Sequence, residues 1–469
     1  MPKQPRIGII CCMTVQKIRF WLMLTLVFAA PLSLHPSIGL PVLNFPSFRI
    51  GLYQVLAIAF VLSALPLLWQ QRQIFERRKA LYVAAPLALA LVWGIATSPV
   101  LPRTLLYSAS LLALASIGIA AYLAWNCLAK DQRRSVLYAA LWSGLIFGGL
   151  AIGQLLLVSF GILPATVLCA GCTSGVFGFP RVNLFAAEPQ FLASSLLPAL
   201  FVAIAFWRQI KPRWLTLLSL ILTSIAISVT FSRGAYLAIG VALAAYLAVL
   251  GAKRHLEAFR HSWPPIAIAI AGFATGWLLL IGSATMLYWG APNITYNTAV
   301  SALNHLTLGV VDIPEIHQPA VPDQSAPMQH FDPQGFVEAS SGDRLSAAET
   351  AVRAWSNSPL NILLGVGMGN LGAYVQQNIM QESPRDLTVY IFYILVMSEL
   401  GLVGLTVLVL SLAIPVLRST KFIVQPRYGL AFMLTLAFAT QFWFFGSYIN
   451  IMYIPLWMGI IYGIYANKR

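Results

Sequence analysis

Residues 214–250 read WLTLLSLILTSIAISVTFSRGAYLAIGVALAAYLAVL and carry a single charge, Arg233. Ser232-Arg233-Gly234 divides the stretch into two apolar runs, 214–231 and 234–250. Each is close to the ~20 residues an α-helix needs to cross ~30 Å of hydrocarbon. Lipid offers backbone N–H and C=O groups no partner, so such runs must be helices that bond internally. Outward in both directions the same texture recurs at 18–38, 50–69, 80–97, 104–126, 136–160, 190–207, 265–289, 387–417, 428–447 and 450–466. The run at 387–417 is long enough to be tilted or broken. The expected fold is all-α: a polytopic transmembrane helical bundle of about 12 spans. Residues 1–289 hold spans one to nine, 290–386 form a long, partly helical loop on the outer side packed over the bundle, and 387–469 hold the last three spans.

Composition agrees with this reading. Of 469 residues, 59% are hydrophobic and 9% charged, whereas a soluble globular chain carries about a quarter charged residues. A soluble enzyme, a disordered chain, a collagen and a disulfide scaffold are excluded. The net charge of +15 does not point to nucleic acid, because the basic residues sit in short loops between apolar runs. The first run lacks a small-residue cleavage site and is followed by more spans, so it reads as a span and not as a removed signal sequence.

Twelve spans place both termini on one side. If that side is cytoplasmic, the inner segments carry 22 of the 29 Lys and Arg, every lysine among them. They include Lys3, Arg6, Lys17, Arg19, Arg72, Arg77, Arg78, Lys79, Arg133, Arg134, Lys211, Arg213, Lys253, Arg254, Lys421, Lys468 and Arg469. The seven outer residues are Arg49, Arg103, Arg181, Arg233, Arg344, Arg353 and Arg385. This bias orients the chain with its termini inside. Ten of the 14 acids also fall outside, nine of them in 290–386. A loop of that length is expected to have a function.

An outer face selected against positive charge makes its arginines informative. Arg233 lies between two apolar runs, where a charge is expensive and marks function. The plainer reading is an arginine snorkelling to the head groups. In FPRVNLFAAEPQFLASS (179–195), Pro189 suits the first turn of a helix, which puts Glu188 at its N-terminus. There Glu188 is either a cap favoured by the helix dipole, with Arg181 beside it, or an outward-facing general base. In SGDRLSAAETAVRAWSNSPLNILLGVGMGN (341–370), Ser341 or Asp343 can cap a helix running to about Asn357. Arg344 would then sit at the helix start with free N–H groups for an anion, or pair with Asp343 or Glu349. Arg344 and Trp355 share a face, and Arg353 points the opposite way, a structural position. Gly367–Gly372 matches G-x-G-x-x-G, but without a β-α-β context it reads as turns between helices and not as a dinucleotide site. Glu399, a lone carboxylate in an apolar run, is a functional candidate or a structural lock between helices.

Metal and redox chemistry find little support. His305, His317 and His330 lack metal-ligand spacing, and no second cysteine or histidine pair joins Cys169-x-x-Cys172 into a zinc site. Cys169 and Cys172 are a disulfide or idle thiols. Cys11, Cys12 and Cys127 fall at or near the inner face.

Several of these residues stand in an order that resembles the O-antigen ligase and O-antigen polymerase superfamily of bacterial polysaccharide assembly. The match runs through Arg344-Leu345, Trp355, Ser358-Pro359-Leu360, Gly365–Asn370 and Glu399–Leu405, with Ser232-Arg233-Gly234 upstream. It covers roughly 180–410. The resemblance implies a glycosyltransferase of the inner membrane acting on an undecaprenyl-diphosphate-linked glycan donor. The acceptor is a second lipid-linked glycan in polymerases and lipid A–core in ligases. It implies no metal, no nucleotide sugar and no cofactor, and it leaves room for polysaccharide-assembly partners. Many members, ligases especially, have His-Asn some nine residues before the E-L-G glutamate, where this chain has Tyr390-Ile391. Glu188-Pro189-Gln190-Phe191 is closer to a pattern of polymerases. Both features favour a polymerase. On this reading Arg181, Arg233 and Arg344 bind the diphosphate, with Arg233 and Arg344 catalytic and Glu188 the base. A ligase is the alternative. A multi-pass transporter is the alternative of another class, against which stands the lack of paired broken half-helices bearing ionisable residues at mid-membrane.

Overall fold

A computed structural model describes residues 6–33, 35–39, 49–70, 78–163, 181–287, 293–306, 313, 333–380, 387, 389–446, 448 and 450–466. Cys169, Cys172, His317, His330 and Arg385 lie outside the described residues, as do the side chains of Cys11, Cys12, Arg49 and His305.

The chain is overwhelmingly helical. Each of the twelve apolar stretches falls on a helix: α1 (Arg6–Phe28), α2 (Leu52–Gln70), α3 (Arg78–Ala96), α4 (Leu101–Cys127), α5 (Lys130–Ser159), α6 (Pro189–Ala205), α7 (Arg213–Val229), α8 (Arg233–Ala252), α9 (Leu256–Leu287), α14 (Phe392–Ser419), α15 (Pro426–Gln441) and α16 (Tyr453–Ala466). Between α9 and α14 lie α10 (Ile294–Leu306), α11 (Pro333–Ser356), α12 (Pro359–Leu364) and α13 (Leu371–Asn378), so the segment 290–386 is partly helical. Among the described residues, six helices are long and apolar enough to cross a membrane: α2, α4, α5, α8, α9 and α14. Their outward faces are hydrocarbon. Trp69 is 75% exposed and Leu278 71%, an arrangement that water would oppose and lipid accepts.

The first stretch departs from expectation. It is helical only to Phe28, after which Pro31 and Pro36 remove backbone donors and stop the helix. The chain then forms β1 (Ser37–Gly39), antiparallel to β2 (Arg49–Gly51), with Ile38 opposite Ile50. Among the described residues, a two-stranded ribbon thus interrupts an otherwise all-α fold.

The core gathers around α6, where every residue from Phe191 to Ile204 is buried. A helix apolar on all sides belongs in the middle of a bundle, and α5, α7 and α15 pack around it. Small residues set the closest helix crossings. Gly272 and Gly276 of α9 meet Ser224 and Ser228 of α7, where an added Cβ at Gly276 would lie 2.5 Å from the Ser228 Cβ. In lipid such close approach replaces the hydrophobic drive that water supplies.

One helix is broken. Gly401 adopts φ 66° and ψ −165° inside α14, directly after Glu399 and Leu400. The break falls in the run whose length left room for one, and it lies beside Glu399. The backbone groups freed by the break are taken up by the glycine-rich hairpin between α12 and α13. Val366 N–H donates to Ser398 O at 2.9 Å and Gly367 N–H to Glu399 O at 3.0 Å. Irregular backbone survives at this depth only when protein supplies such partners.

Candidate functional site

The turn between α7 and α8 is the anchor of the site. Phe231 holds a left-handed φ of 52° there and packs its ring 5.7 Å from that of Trp277. Arg181, in the segment leading to α6, reaches this turn: its Nε donates to Thr230 O at 3.2 Å and its Nη2 to Phe231 O at 3.4 Å. Arg233 opens α8 after Ser232. Its Nη1 is buried and has no hydrogen-bond partner. Two arginines far apart in sequence therefore share one turn.

Glu188 caps the start of α6 with an extended backbone (φ −145°, ψ 157°), and its C=O accepts from Phe191 N–H. Its side chain makes no capping bond. The carboxylate instead accepts from Gln190 Nε2 at 2.5 Å and lies in the field of Arg181 and Arg344. The cap reading of this carboxylate is thereby corrected: the position is a cap, and the side chain is directed elsewhere. Burial pushes the Glu188 carboxyl above the usual carboxylate range, and Arg181, Arg344 and the Gln190 bond pull it partly back. Burial also draws Arg181 down to about 10, which leaves it charged at neutral pH.

Arg344 completes the group. Its helix begins at Pro333, not at Ser341 or Asp343, because proline suits a first helical turn at no cost in donors. Arg344 is therefore mid-helix, and the free N–H groups of a helix start are not available beside it. Its guanidinium stands over the Tyr390 ring, 5.1 Å from the centroid, within range of a cation–π contact. Arg344 and Arg181 repel Arg233, and Arg344 also repels Arg181. The structure thus brings all four sequence-selected residues, Arg181, Glu188, Arg233 and Arg344, into one electrostatic group. Among the described residues no direct ion pair joins Glu188 to these arginines.

Other singled-out residues lie elsewhere. Arg353 pairs with Glu349 at 2.6 Å, both mostly exposed, so Glu349 is not the partner of Arg344. Trp355 Nε1 donates to Ile362 O at 3.0 Å and ties α11 to α12. Glu399 Oε1 accepts from Gly369 N–H at 2.9 Å and belongs to the α14 break. Among the described residues no three His, Cys, Asp or Glu side chains gather as a metal-binding group. Two site neighbours escaped the sequence reading. Gln190 is the hydrogen-bond partner of Glu188, and Tyr236, one turn along α8 from Arg233, lies near Arg181 and donates to Ser228 O. Their positions, two and three residues from Glu188 and Arg233, were the available signal.

An apolar groove of about 660 Å³ runs along α14 from Phe392 to Leu412, walled by α4 and α16. Phe392 is two residues beyond Tyr390, so the groove starts near the ring that Arg344 covers. Against known proteins, the chain matches no family model and no curated protein is significantly similar to it.

Proposed function

We propose that this chain is a multi-pass enzyme of the bacterial inner membrane that polymerises undecaprenyl-diphosphate-linked oligosaccharide repeat units into O-antigen or exopolysaccharide at the periplasmic face. The observation that carries the reading is a group of three half-buried arginines, two of which, Arg181 and Arg344, act on the Glu188 carboxylate and also repel Arg233, whose Nη1 is buried and unpartnered. That excess of positive charge calls for an anion with several oxygens, and a diphosphate supplies it through bidentate, permanently charged contacts. The order of motifs over 180–410 narrows the anion to a glycan-bearing lipid diphosphate, and the groove along α14 suits its polyprenyl chain.

In the reaction the acceptor hydroxyl oxygen attacks the anomeric carbon of the donor. The bond from that carbon to the diphosphate oxygen breaks, and polyprenyl diphosphate leaves with the electron pair. Glu188 takes the hydroxyl proton, and the arginines hold the charge that grows on the leaving group. A carboxyl already raised by burial is a better base than an exposed one. Tyr390 in place of histidine, together with Glu188-Pro189-Gln190-Phe191, favours polymerase over ligase.

The test is a reconstituted assay with purified protein and a defined polyprenyl-diphosphate oligosaccharide, products being read by mass with and without lipid A–core. A ladder on polyprenyl diphosphate alone is expected. Transfer only in the presence of lipid A–core makes the chain a ligase. No product from folded protein, together with ion-driven uptake of a solute, overturns the enzyme in favour of a transporter, for which the break beside Glu399 would then be the site to pursue.

A further inference from the structure

A second cluster of positive charge lies at the far end of α6 from Glu188. That helix has 17 residues, about 26 Å of rise, and the chain just past its C-terminus borders a cavity of about 560 Å³. Lys130, Arg133 and Arg134 from the start of α5 and Arg427 from the start of α15 line the cavity, and Ile460 and Ile464 form part of an apolar wall. Among the described residues none of the four cations has a carboxylate within salt-bridge distance. Asp131, between them in sequence, is exposed and does not line the cavity.

Lys130 and Arg134 are exposed, Arg133 and Arg427 partly buried, and Arg427 also stands 4.9 Å from the centre of the Tyr428 ring. Arg134 donates to Gln209 O at 3.2 Å and Arg427 to Gln425 Oε1 at 3.2 Å. Arg133 stands 5.8 Å from the centre of the Trp125 ring, its Nε is buried without a hydrogen-bond partner, and it lies close enough to Arg427 to be repelled by it. Like charges held together beside hydrocarbon are unfavourable unless an anion joins them. A phosphate group matches the arginine forks. The apolar wall adds a second requirement, that the phosphate carry hydrocarbon, which a free phosphate or a nucleic acid does not meet.

We infer that this cavity binds the phosphate head group of an anionic phospholipid, in the leaflet opposite the proposed reaction site. The inference does not depend on the reaction. A basic pocket between helices gains about 1 kcal/mol for each Lys or Arg near an anionic head group, a factor of about five in affinity.

The test uses the full chain in neutral detergent, titrated with cardiolipin, with phosphatidylcholine of the same acyl chains and with inorganic pyrophosphate, and read by native mass spectrometry. Cardiolipin is expected to bind at least tenfold more tightly than phosphatidylcholine. Arg133→Gln and Arg427→Gln each weaken cardiolipin about fivefold, Arg133→Lys restores most of the loss, and Arg353→Gln, at the other end of the molecule, changes nothing. Recovery by lysine separates lost charge from lost fold. Equal affinity for the two lipids, or for the wild type and the double glutamine variant, overturns the proposal. Pyrophosphate that displaces cardiolipin at comparable concentration also overturns it, in favour of a free-phosphate site.

Discussion

Arg233 concentrates the chemistry at the scale of single residues. A guanidinium nitrogen buried without a partner beside two further arginines has a hydrogen bond and a charge to offer an arriving anion. Arg233→Ala or Arg344→Ala is expected to lower turnover about a hundredfold or more, the usual loss for a preorganised charge contact, with membrane insertion intact. Arg353→Ala should stay within about twofold, because an exposed ion pair contributes little. Glycan ladders of normal length from either of the first two variants would refute the assignment. Glu188 predicts a pH dependence. A base works deprotonated, and its carboxyl is raised by burial, so turnover should rise with pH through a limb above the ordinary carboxylate range. Removing a neighbouring cation in Arg181→Gln raises that limb further, and Glu188→Gln removes it. Arg181, Glu188 and Arg233 are charges in or beside apolar text, and Arg344 is one of few arginines in an acid-rich segment, so all four were legible in the sequence as candidates. Gln190 and Tyr236 were not, since uncharged polar residues near helix ends serve many purposes. The mid-helix place of Arg344 was hidden because Ser341 and Asp343 resemble a cap that the upstream Pro333 makes unnecessary.

At the scale of elements, the motif-bearing segments prove to be each other's packing partners. Gly365, with φ +78°, faces the α14 break, where an added Cβ would lie 2.3 Å from the Glu399 carbonyl carbon. Gly401 answers it, its added Cβ falling 2.2 Å from Leu363 O. Asn370 closes the hairpin onto α3 and α4: its Oδ1 accepts from Thr104 at 2.6 Å and Ser98 at 3.0 Å, and its Nδ2 donates to Gly94 O. The order of these motifs could be read from the chain. Their mutual contact could not, because it depends on two glycines in left-handed conformations meeting backbone to backbone. Gly401→Ala should therefore lower thermal stability in detergent by about 1–3 kcal/mol or more, from strain at positive φ and the lost approach. Asn370→Ala should cost about as much by stranding the groups it joins. If Gly401→Ala melts like the parent, the two segments are not locked. Asn370 lies on the hairpin between α12 and α13, and Gly401 of α14 packs against the same segment. Helix α11 rests on α12, α13 and α14, so activity should fall with stability as the helix carrying Arg344 loses its support.

For the whole molecule, the two charged clusters define an axis. Glu188 stands at the start of α6 and Gln209 just past its end, while α15 carries Arg427 in its first turn and is followed, three residues past its end, by Phe444, whose side chain packs on Gly234 beside Arg233. Segments that the lysine and arginine bias assigns to the cytoplasm thus meet at one end, and segments assigned to the periplasm meet at the other. Among the described residues, six helices are long enough to make the crossing unaided. The others that would complete twelve spans include α6 and α7, of 17 residues each. Their rise of about 26 Å falls short of ~30 Å of hydrocarbon; α6 is packed by neighbouring helices along its length, whereas α7 is buried over its second half and exposes Trp214 and Leu218 near its start. The topology is tested in intact cells with single cysteines placed in a cysteine-free background and probed with a membrane-impermeant maleimide. Cysteine at Glu349 or Asn378, both exposed and in the segment assigned to the outside, should label from outside. Cysteine at Asp131 or Lys253, exposed at the opposite end, should label only after the membrane is opened. Labelling of both sets from the same side would break the axis, and with it the placement of the reaction site and the lipid pocket on opposite leaflets.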